Sequence, residues 1–395
     1  MRIGVVGNTN NYPLLLTEAL RSLGHDADLF LLRQDQLHRP ESRQTELSGA
    51  VGWVRDHSSI GFDDILFRTR LYCELLAAVK ESRFDLLITN DYGPSIADEL
   101  GARHVAMLTG SDLIYLADYG SVAMKSAVWS PDFRRSHLGR GYLRRDADFV
   151  TRQRMGILAA DAVSFGHPGL IDVGDRLLAD IGVTDDRRFM LRISDTTVLQ
   201  PSSPAANDKL RILLGARPVW VRDVNPIFSD QDLKGTDLLL RGYADYVAGG
   251  GTGELCLVRK GPDVDATVAL IAELGIASRV TWLEEMSLQA YRREVERADL
   301  VCDQFARSFP GMVTMDAYAQ GRPVMANFRP EIFSRSGEEP FPGLQASTPE
   351  EIHDHLRSVD RRRDRLVTLG RESRAYAERN LSAANAAIAL LKRLS

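Results

Sequence analysis

Short apolar runs alternate along the chain with stretches whose apolar positions recur at helical spacing. Residues 2–6 form a first apolar run that ends at Gly7. Asn8, Thr9, Asn10 and Asn11 follow with turn and N-cap chemistry. Residues 12–23 then repeat at helical spacing, with Pro13 in the first turn and Gly24 as the stop. The same reading predicts strands at 27–32, 85–89, 104–108, 160–164 and 187–191, and helices at 65–80 and 95–100. Residues 33–58 read as a polar, irregular loop, and 120–155 as loops and helix. Residues 200–207 carry two prolines among small polar residues, which breaks both periods and predicts a linker. Beyond it the pattern restarts. Strands are expected at 218–222, 254–259, 280–283, 300–304 and 323–326. Helices are expected at 236–246, 264–274, 288–296, 312–320, 348–358 and 371–394. Strand–helix alternation predicts parallel sheets covered on both faces. The chain is therefore expected to be α/β, with two Rossmann-like domains facing a central cleft. The first would span 1–203 and the second 204–376, with 377–395 as a helix packing back on the first. Ligands of such sheets bind at the carboxyl ends of the strands.

Composition narrows the function. The chain has 395 residues, 44% of them hydrophobic, which suits two domains with full cores. Lys plus Arg is 49 against 54 Asp plus Glu, a formal charge of −5. That balance argues against a broad nucleic-acid surface. No apolar run reaches the length of a spanning helix, and the first residues lack a secretory pattern, so a cytoplasmic protein is expected. Cys73, Cys256 and Cys302 are widely spaced and form no C-x-x-C pair, which disfavours a zinc ribbon or a disulfide framework. Lysine is confined to Lys80, Lys125, Lys209, Lys234, Lys260 and Lys392, so a lysine at a helix start stands out.

Several catalytic signatures are missing. There is no P-loop, no G-x-G-x-x-G after the first strand and no G-x-S-x-G elbow. His353 and His355 are two apart and fall on different helix faces, which suits surface residues better than metal ligands. The informative stretch runs from 222 to 326. It contains Arg222, then Lys234-Gly235-Thr236-Asp237 at a helix start. Trp282 and Leu283 end a strand, and Asp303-Gln304-Phe305 ends another. Ser308-Phe309-Pro310-Gly311 leads into the helix that carries Asp316, and that helix closes on Gln320-Gly321-Arg322-Pro323-Val324.

The order and spacing of these pieces resemble the second domain of family 4 retaining glycosyltransferases, which have the GT-B fold. The likeness covers about a hundred residues. It implies that Arg222 and Lys234 neutralise the diphosphate of a nucleoside-diphosphate sugar. The N–H groups of Met312 and Val313, after Gly311, would add a helix N-terminus that favours anions. Asp316 would accept the ribose hydroxyls, and the base would lie near Trp282 and Leu283. Plainer alternatives exist. Lys234 could be an ordinary first-turn residue, although a cation there opposes the helix dipole. Asp316 could be a surface pair, Arg222 could pair with Asp223, and Trp282 could be core. The family commonly carries Glu, seven residues, then Glu; here Ser308 and Asp316 stand at those positions. A subset with Asp-Gln-Phe upstream also lacks the first Glu, and this chain looks like that subset. Residues 223–233 read as an inserted loop between Arg222 and Lys234.

The first domain resembles the family less closely. Thr109-Gly110-Ser111-Asp112 is similar to its His-Gly-Ser-Asp turn, and Asn90-Asp91 stands where a histidine often touches the donor sugar. Asp91 and Asp112 are thus candidate catalytic groups, with a turn residue and a helix N-cap as the alternatives. Gly7 and Asn8 would lie near the phosphates or the acceptor. The resemblance implies a retaining glycosyltransferase that needs no metal and no cofactor beyond the nucleotide sugar. The acceptor and the oligomeric state are open. Alternatives are a catalytically inactive sugar-nucleotide-binding partner and a GT-B sugar-nucleotide epimerase. Arg134, Arg135, Arg140, Arg144, Arg145, Arg152 and Arg154 crowd one stretch, which could face an anionic acceptor, a membrane surface (a peripheral contact) or plain solvent.

Overall fold

The computed structural model describes residues 1–32, 35, 38–43, 52–202, 207–221, 232–306 and 310–394. The chain divides into two compact units. Unit 1 holds Met1–Leu191 and Ala383–Ser395; unit 2 holds Arg192–Ser382. The division falls upstream of the 200–207 stretch expected as the linker, and the chain returns to unit 1 for its last helix.

Unit 1 contains β1 (Arg2–Val6), β2 (Asp26–Leu31), β3 (Val54–Asp56), β4 (Leu86–Thr89), β5 (His104–Met107), β6 (Ala162–Ser164) and β7 (Arg188–Phe189). They form one parallel sheet in the order β3-β2-β1-β4-β5-β6-β7. Unit 2 contains β8 (Arg211–Leu214), β9 (Glu254–Val258), β10 (Val280–Leu283), β11 (Leu300–Cys302), β12 (Val324–Ala326) and β13 (Leu344–Gln345). Its sheet is also parallel, in the order β10-β9-β8-β11-β12-β13. Counted within each unit, the sheets run 3-2-1-4-5-6-7 and 3-2-1-4-5-6, the doubly wound order whose direction reverses between the first and fourth strands.

Burial explains why these runs are strands. Val5, Val6, Ile88, Ile212, Leu213, Leu300 and Val301 are almost wholly buried, because helices cover both faces of each sheet. Tyr243, Leu239 and Leu240 of the helix Thr236–Ala248 pack on the unit 2 sheet with Leu255, Leu257 and Ile352. In unit 1, Phe149 of the long helix His137–Ala159 packs with Val6, Phe30 and Leu87. Each such side chain contributes about 1.5–3 kcal/mol.

The structure corrects several expected elements. The strand expected at 218–222 is not one over its described part. The central strand is β8, at Arg211–Leu214, paired with β9 and β11. Residues 218–221 follow it as a loop, because Pro218 has no N–H for a ladder. The N–H groups of Trp220 and Val221 donate instead to Asp263 Oδ2, at 2.5 and 2.9 Å. β3 lies inside the stretch read as loop, and the helix Asp172–Ile181 and β13 are further elements the periodicity did not separate. The expected helix 65–80 is two helices, Phe62–Phe67 and Arg70–Glu81, broken at Arg68, whose φ is 52°. The expected helix 371–394 is likewise Asp364–Tyr376, a wide turn at Ala377–Leu381 and Ala383–Leu394.

Candidate functional site

In unit 2 the strand order reverses between β8 and β11, and the loops leaving these two strands carry most of the expected chemistry. Past β8, Gly215 has no room for a side chain: a Cβ there would lie 2.2 Å from Tyr291 Oη and 2.6 Å from Val313. Past β11 come Asp303, Gln304 and Phe305. The Lys234 backbone joins the two loops, since its N–H donates to Val219 O at 2.6 Å and its carbonyl accepts from Phe305 N at 2.8 Å. Gly235 follows with a φ of 72°, and a Cβ there would lie 2.8 Å from Ala306 N. Only glycine suits that turn, which starts the helix Thr236–Ala248.

Lys234 is half-buried, and its ammonium donates to Gln304 Oε1 at 2.9 Å. Burial pushes its pKa down, the carboxylates of Asp303 and Asp232 push it back up, and the Arg217 guanidinium lowers it. Burial thus disfavours the charged form, and the hydrogen bond of the ammonium goes to a neutral amide rather than to a carboxylate. Asp303 is buried and caps the helix Met312–Ala319. Its Oδ2 accepts from Gly311 N at 2.8 Å, Thr314 N at 3.3 Å and Thr314 Oγ1 at 2.7 Å. Burial raises the Asp303 pKa against the pull of Thr314, Gly311 and Lys234. The N–H groups of Met312 and Val313 have no partner among the described residues. The Asp-Gln-Phe segment therefore has three local jobs. Asp303 caps the helix, Gln304 holds the lysine, and the Phe305 backbone fixes the Lys234 loop.

Asp316, expected on the ribose hydroxyls, is 3% exposed, and its Oδ2 lies 3.1 Å from Arg292 Nε. Burial raises its pKa and Arg292 lowers it. It stands behind the helix start as a buried ion pair. Trp282 and Leu283 end β10, the edge strand, with the Arg259 guanidinium 4.8 Å from the Trp282 ring centre. Arg222, Ser308 and Phe309 lie outside the described residues. Arg217, two residues past Gly215 and near enough for its charge to lower the Lys234 pKa, was not singled out in the sequence. The misplaced strand at 218–222 drew attention from 217 to 222.

Unit 1 repeats the geometry with different groups. Gly7 ends β1 with a φ of 94°, and a Cβ there would lie 2.4 Å from Asn90 O. Asn8 is buried. Its Oδ1 accepts from Leu14 N at 2.9 Å, and its Nδ2 donates to Asn11 Oδ1 and His38 O, both at 2.7 Å. Asn90, past β4, is the hub. Its Oδ1 accepts from Thr9 N at 2.8 Å, and its Nδ2 donates to Met107 O at 2.9 Å and Asp112 Oδ2 at 3.0 Å. Asp91 is buried in a left-handed conformation, with a φ of 59°. Asp112 is fully buried and holds the turn after β5. Its oxygens accept from Thr109 N, Gly110 N and Thr109 Oγ1 at 2.8–3.1 Å. Burial pushes its pKa up to about 6 against those donors.

A cleft of about 650 Å³ lies at the opposite end of the unit 2 sheet, beside Asp299, Arg322 and Pro323. Its arginines mostly tie the chain together. Arg363 sits 3.6 Å from Asp299, and Arg374 donates to Leu199 O at 2.7 Å. The convergent chemistry is at the carboxyl ends of the strands, away from that cleft.

Two parallel sheets in this order, each wrapped by helices, define a two-domain Rossmann-like GT-B fold. Solved structures agree. The Anabaena protein HepE, crystallised with UDP and glucose, matches with a TM-score of 0.62 at 15% identity, over 100% of this chain and 99% of that one. Sucrose-phosphate synthase from Thermosynechococcus elongatus matches with a TM-score of 0.59 at 15% identity, over 99% and 98%. No family model matches the chain. In sequence it is similar to the D-inositol 3-phosphate glycosyltransferase of Mycolicibacterium smegmatis, at 30% identity over 177 residues, covering 41% of this chain and 39% of the relative. The enzyme of the same description from Mycobacterium sp. strain KMS is 32% identical over 179 residues, with the same shares of 41% and 39%. The match thus spans about two fifths of the length of these curated relatives. The fold is thus GT-B, and the curated relatives that part of the chain matches are described as glycosyltransferases.

Proposed function

We propose that this chain is a retaining glycosyltransferase that moves a sugar from a nucleoside-diphosphate sugar to an acceptor. The observation that carries the reading is the Lys234 ammonium, partly desolvated, held by Gln304 and set beside a capped helix start. A diphosphate placed there meets Lys234, the N–H groups of Met312 and Val313, and Arg217. Charge grows on the diphosphate as the bond between the sugar's C1 and the phosphate oxygen breaks. Preorganised donors and cations stabilise that growth without reorganising water. The acceptor oxygen bonds to C1 on the face the diphosphate leaves, and its proton passes to a phosphate oxygen. No step needs a metal. In this reading Asp316 and Arg292 brace the helix that presents the two N–H groups. Asn90 and Asp112 shape the turns of unit 1.

The test is thermal stabilisation by UDP, GDP, dTDP and ADP at millimolar concentration, on the wild type and on Lys234→Met. Ligand that binds the native state raises the midpoint with the logarithm of its concentration over Kd. One nucleotide is expected to shift the wild type, and Lys234→Met is expected to weaken it about 30-fold or more, as for loss of a charge-assisted bond of about 2–3 kcal/mol. The free variant should melt no lower than the wild type, since a desolvated charge is removed. No shift with any nucleotide, or unchanged affinity in Lys234→Met, overturns the reading.

A further inference from the structure

The surface of unit 1 carries a ridge that the sugar-transfer reading does not use. Four rings touch in series. Phe67 meets Tyr142 at 5.7 Å between ring centres, Tyr142 meets Trp129 at 5.4 Å, and Trp129 meets Phe133 at 5.1 Å. These contacts fold the short helix Pro131–Arg135 against the start of the helix His137–Ala159. The approach is close, because a Cβ on Gly139 would lie 2.1 Å from Phe133 O. The ridge does not bury its apolar tips. Val128 is 64% exposed, Leu138 66%, Phe67 40% and Phe133 37%.

Arginines flank those tips. Arg134, Arg135, Arg140 and Arg144 are all exposed, and none has an ion pair among the described residues. Other arginines of this chain are closely paired, as in Arg43 with Glu18, Arg188 with Asp175 and Arg192 with Glu338. Between 128 and 144 the only acid is Asp132. The protein as a whole carries −5, so the positive field here is local.

We propose that this ridge docks on an anionic lipid bilayer. Exposed aliphatic and aromatic tips enter the boundary between headgroups and acyl chains, where aromatic rings with a polar edge also prefer to sit. The four arginines pair with lipid phosphates on either side. A purely ionic partner would leave Val128 and Leu138 in water; a purely apolar one would strip the arginines of solvent without a counter-charge. A headgroup layer over hydrocarbon meets both demands. No described helix is long and apolar enough to cross a membrane, so the contact is peripheral. The proposal does not depend on sugar transfer, and its test does not read activity.

The test is flotation of the full chain with vesicles of phosphatidylcholine alone and with one third phosphatidylglycerol. The wild type is expected to float with the anionic vesicles and not with the neutral ones, and raising the salt to about 0.5 M should release most of it. Replacing the four arginines by glutamine should lower binding at least about tenfold, as should Val128→Ser with Leu138→Ser. Replacing the arginines by lysine should preserve it. All these positions are exposed, so thermal midpoints should match the wild type and confirm folding. Absence of flotation at low salt, equal binding to neutral vesicles, or full binding by either loss variant would overturn the proposal.

Discussion

The two units solve one topological problem with opposite chemistry. Each sheet reverses direction between its first and fourth strands, and each leaves loops there that must be tied together. In unit 1 the tie is a neutral amide, Asn90, which reaches the loop after β1, the strand β5 and the Asp112 carboxyl. The Asp112 oxygens are occupied by backbone donors, so the cluster is self-contained. In unit 2 the tie carries charge. Asp303, Lys234 and the Asp316–Arg292 pair share the region, and two helix N–H groups stay open. Shared strand order does not assign a shared task. The unit 1 cluster is tied mainly by neutral amide and backbone groups, whereas the unit 2 cluster brings together buried and half-buried charges.

The comparison breaks first at its most buried charge. Arg292→Leu leaves Asp316 unpaired at a few per cent exposure. It should destabilise the protein by about 3–5 kcal/mol, and adding Asp316→Leu should recover most of that, as read by urea midpoints. A small loss in the single variant would mean that Asp316 has other support. Next comes Asp112. Its folded pKa of about 6 lies above its ordinary 3.8, so the folded state keeps a proton that the unfolded chain has lost. Its contribution is therefore present below pH ~4 and falls as pH rises to ~6, by about 3 kcal/mol in all. Subtracting the stability of Asp112→Asn, which cannot titrate, isolates this slope. A flat difference would place unit 1 among the charged hubs. Smallest is a pair of glycine tests. Gly101 has a φ of 58° and open space around it, whereas Gly235 at 72° has Ala306 N against it. Gly101→Ala should cost about 1 kcal/mol and Gly235→Ala about 2 kcal/mol. Only the second should weaken nucleotide binding, because it moves Lys234.

The fold was legible in sequence because buried parallel strands are uninterrupted apolar runs and their helices end on glycine. β1, β4, β9 and β10 were found this way within a residue or two. β8 was misplaced because Arg211–Leu214 is short and lies close to a second apolar stretch whose proline bars it from a ladder. β3 was missed because an edge strand of three residues carries no period. At the site, Lys234 stood out because lysine is scarce, and Gly311 because a helix had to start after it. What Gln304 and Asn90 do was not legible. An amide reveals its partners only when loops distant in sequence are brought together. Asp316 was expected on the ribose hydroxyls; that it is buried against Arg292 was not legible, because the pairing depends on a helix two elements away.

The last helix, Ala383–Leu394, packs against Tyr12–Ser22, although the whole of unit 2 separates them along the chain. A ribosome adds residues at roughly 5–20 per second. The part of Tyr12–Ser22 that packs on Ala383–Leu394 therefore waits tens of seconds for that helix to emerge. Unit 2 can complete itself during translation, but unit 1 needs residues that follow unit 2 in the chain. A nascent chain thus carries part of Tyr12–Ser22 uncovered while unit 2 is being made, and a chain that stopped inside unit 2 would keep it uncovered.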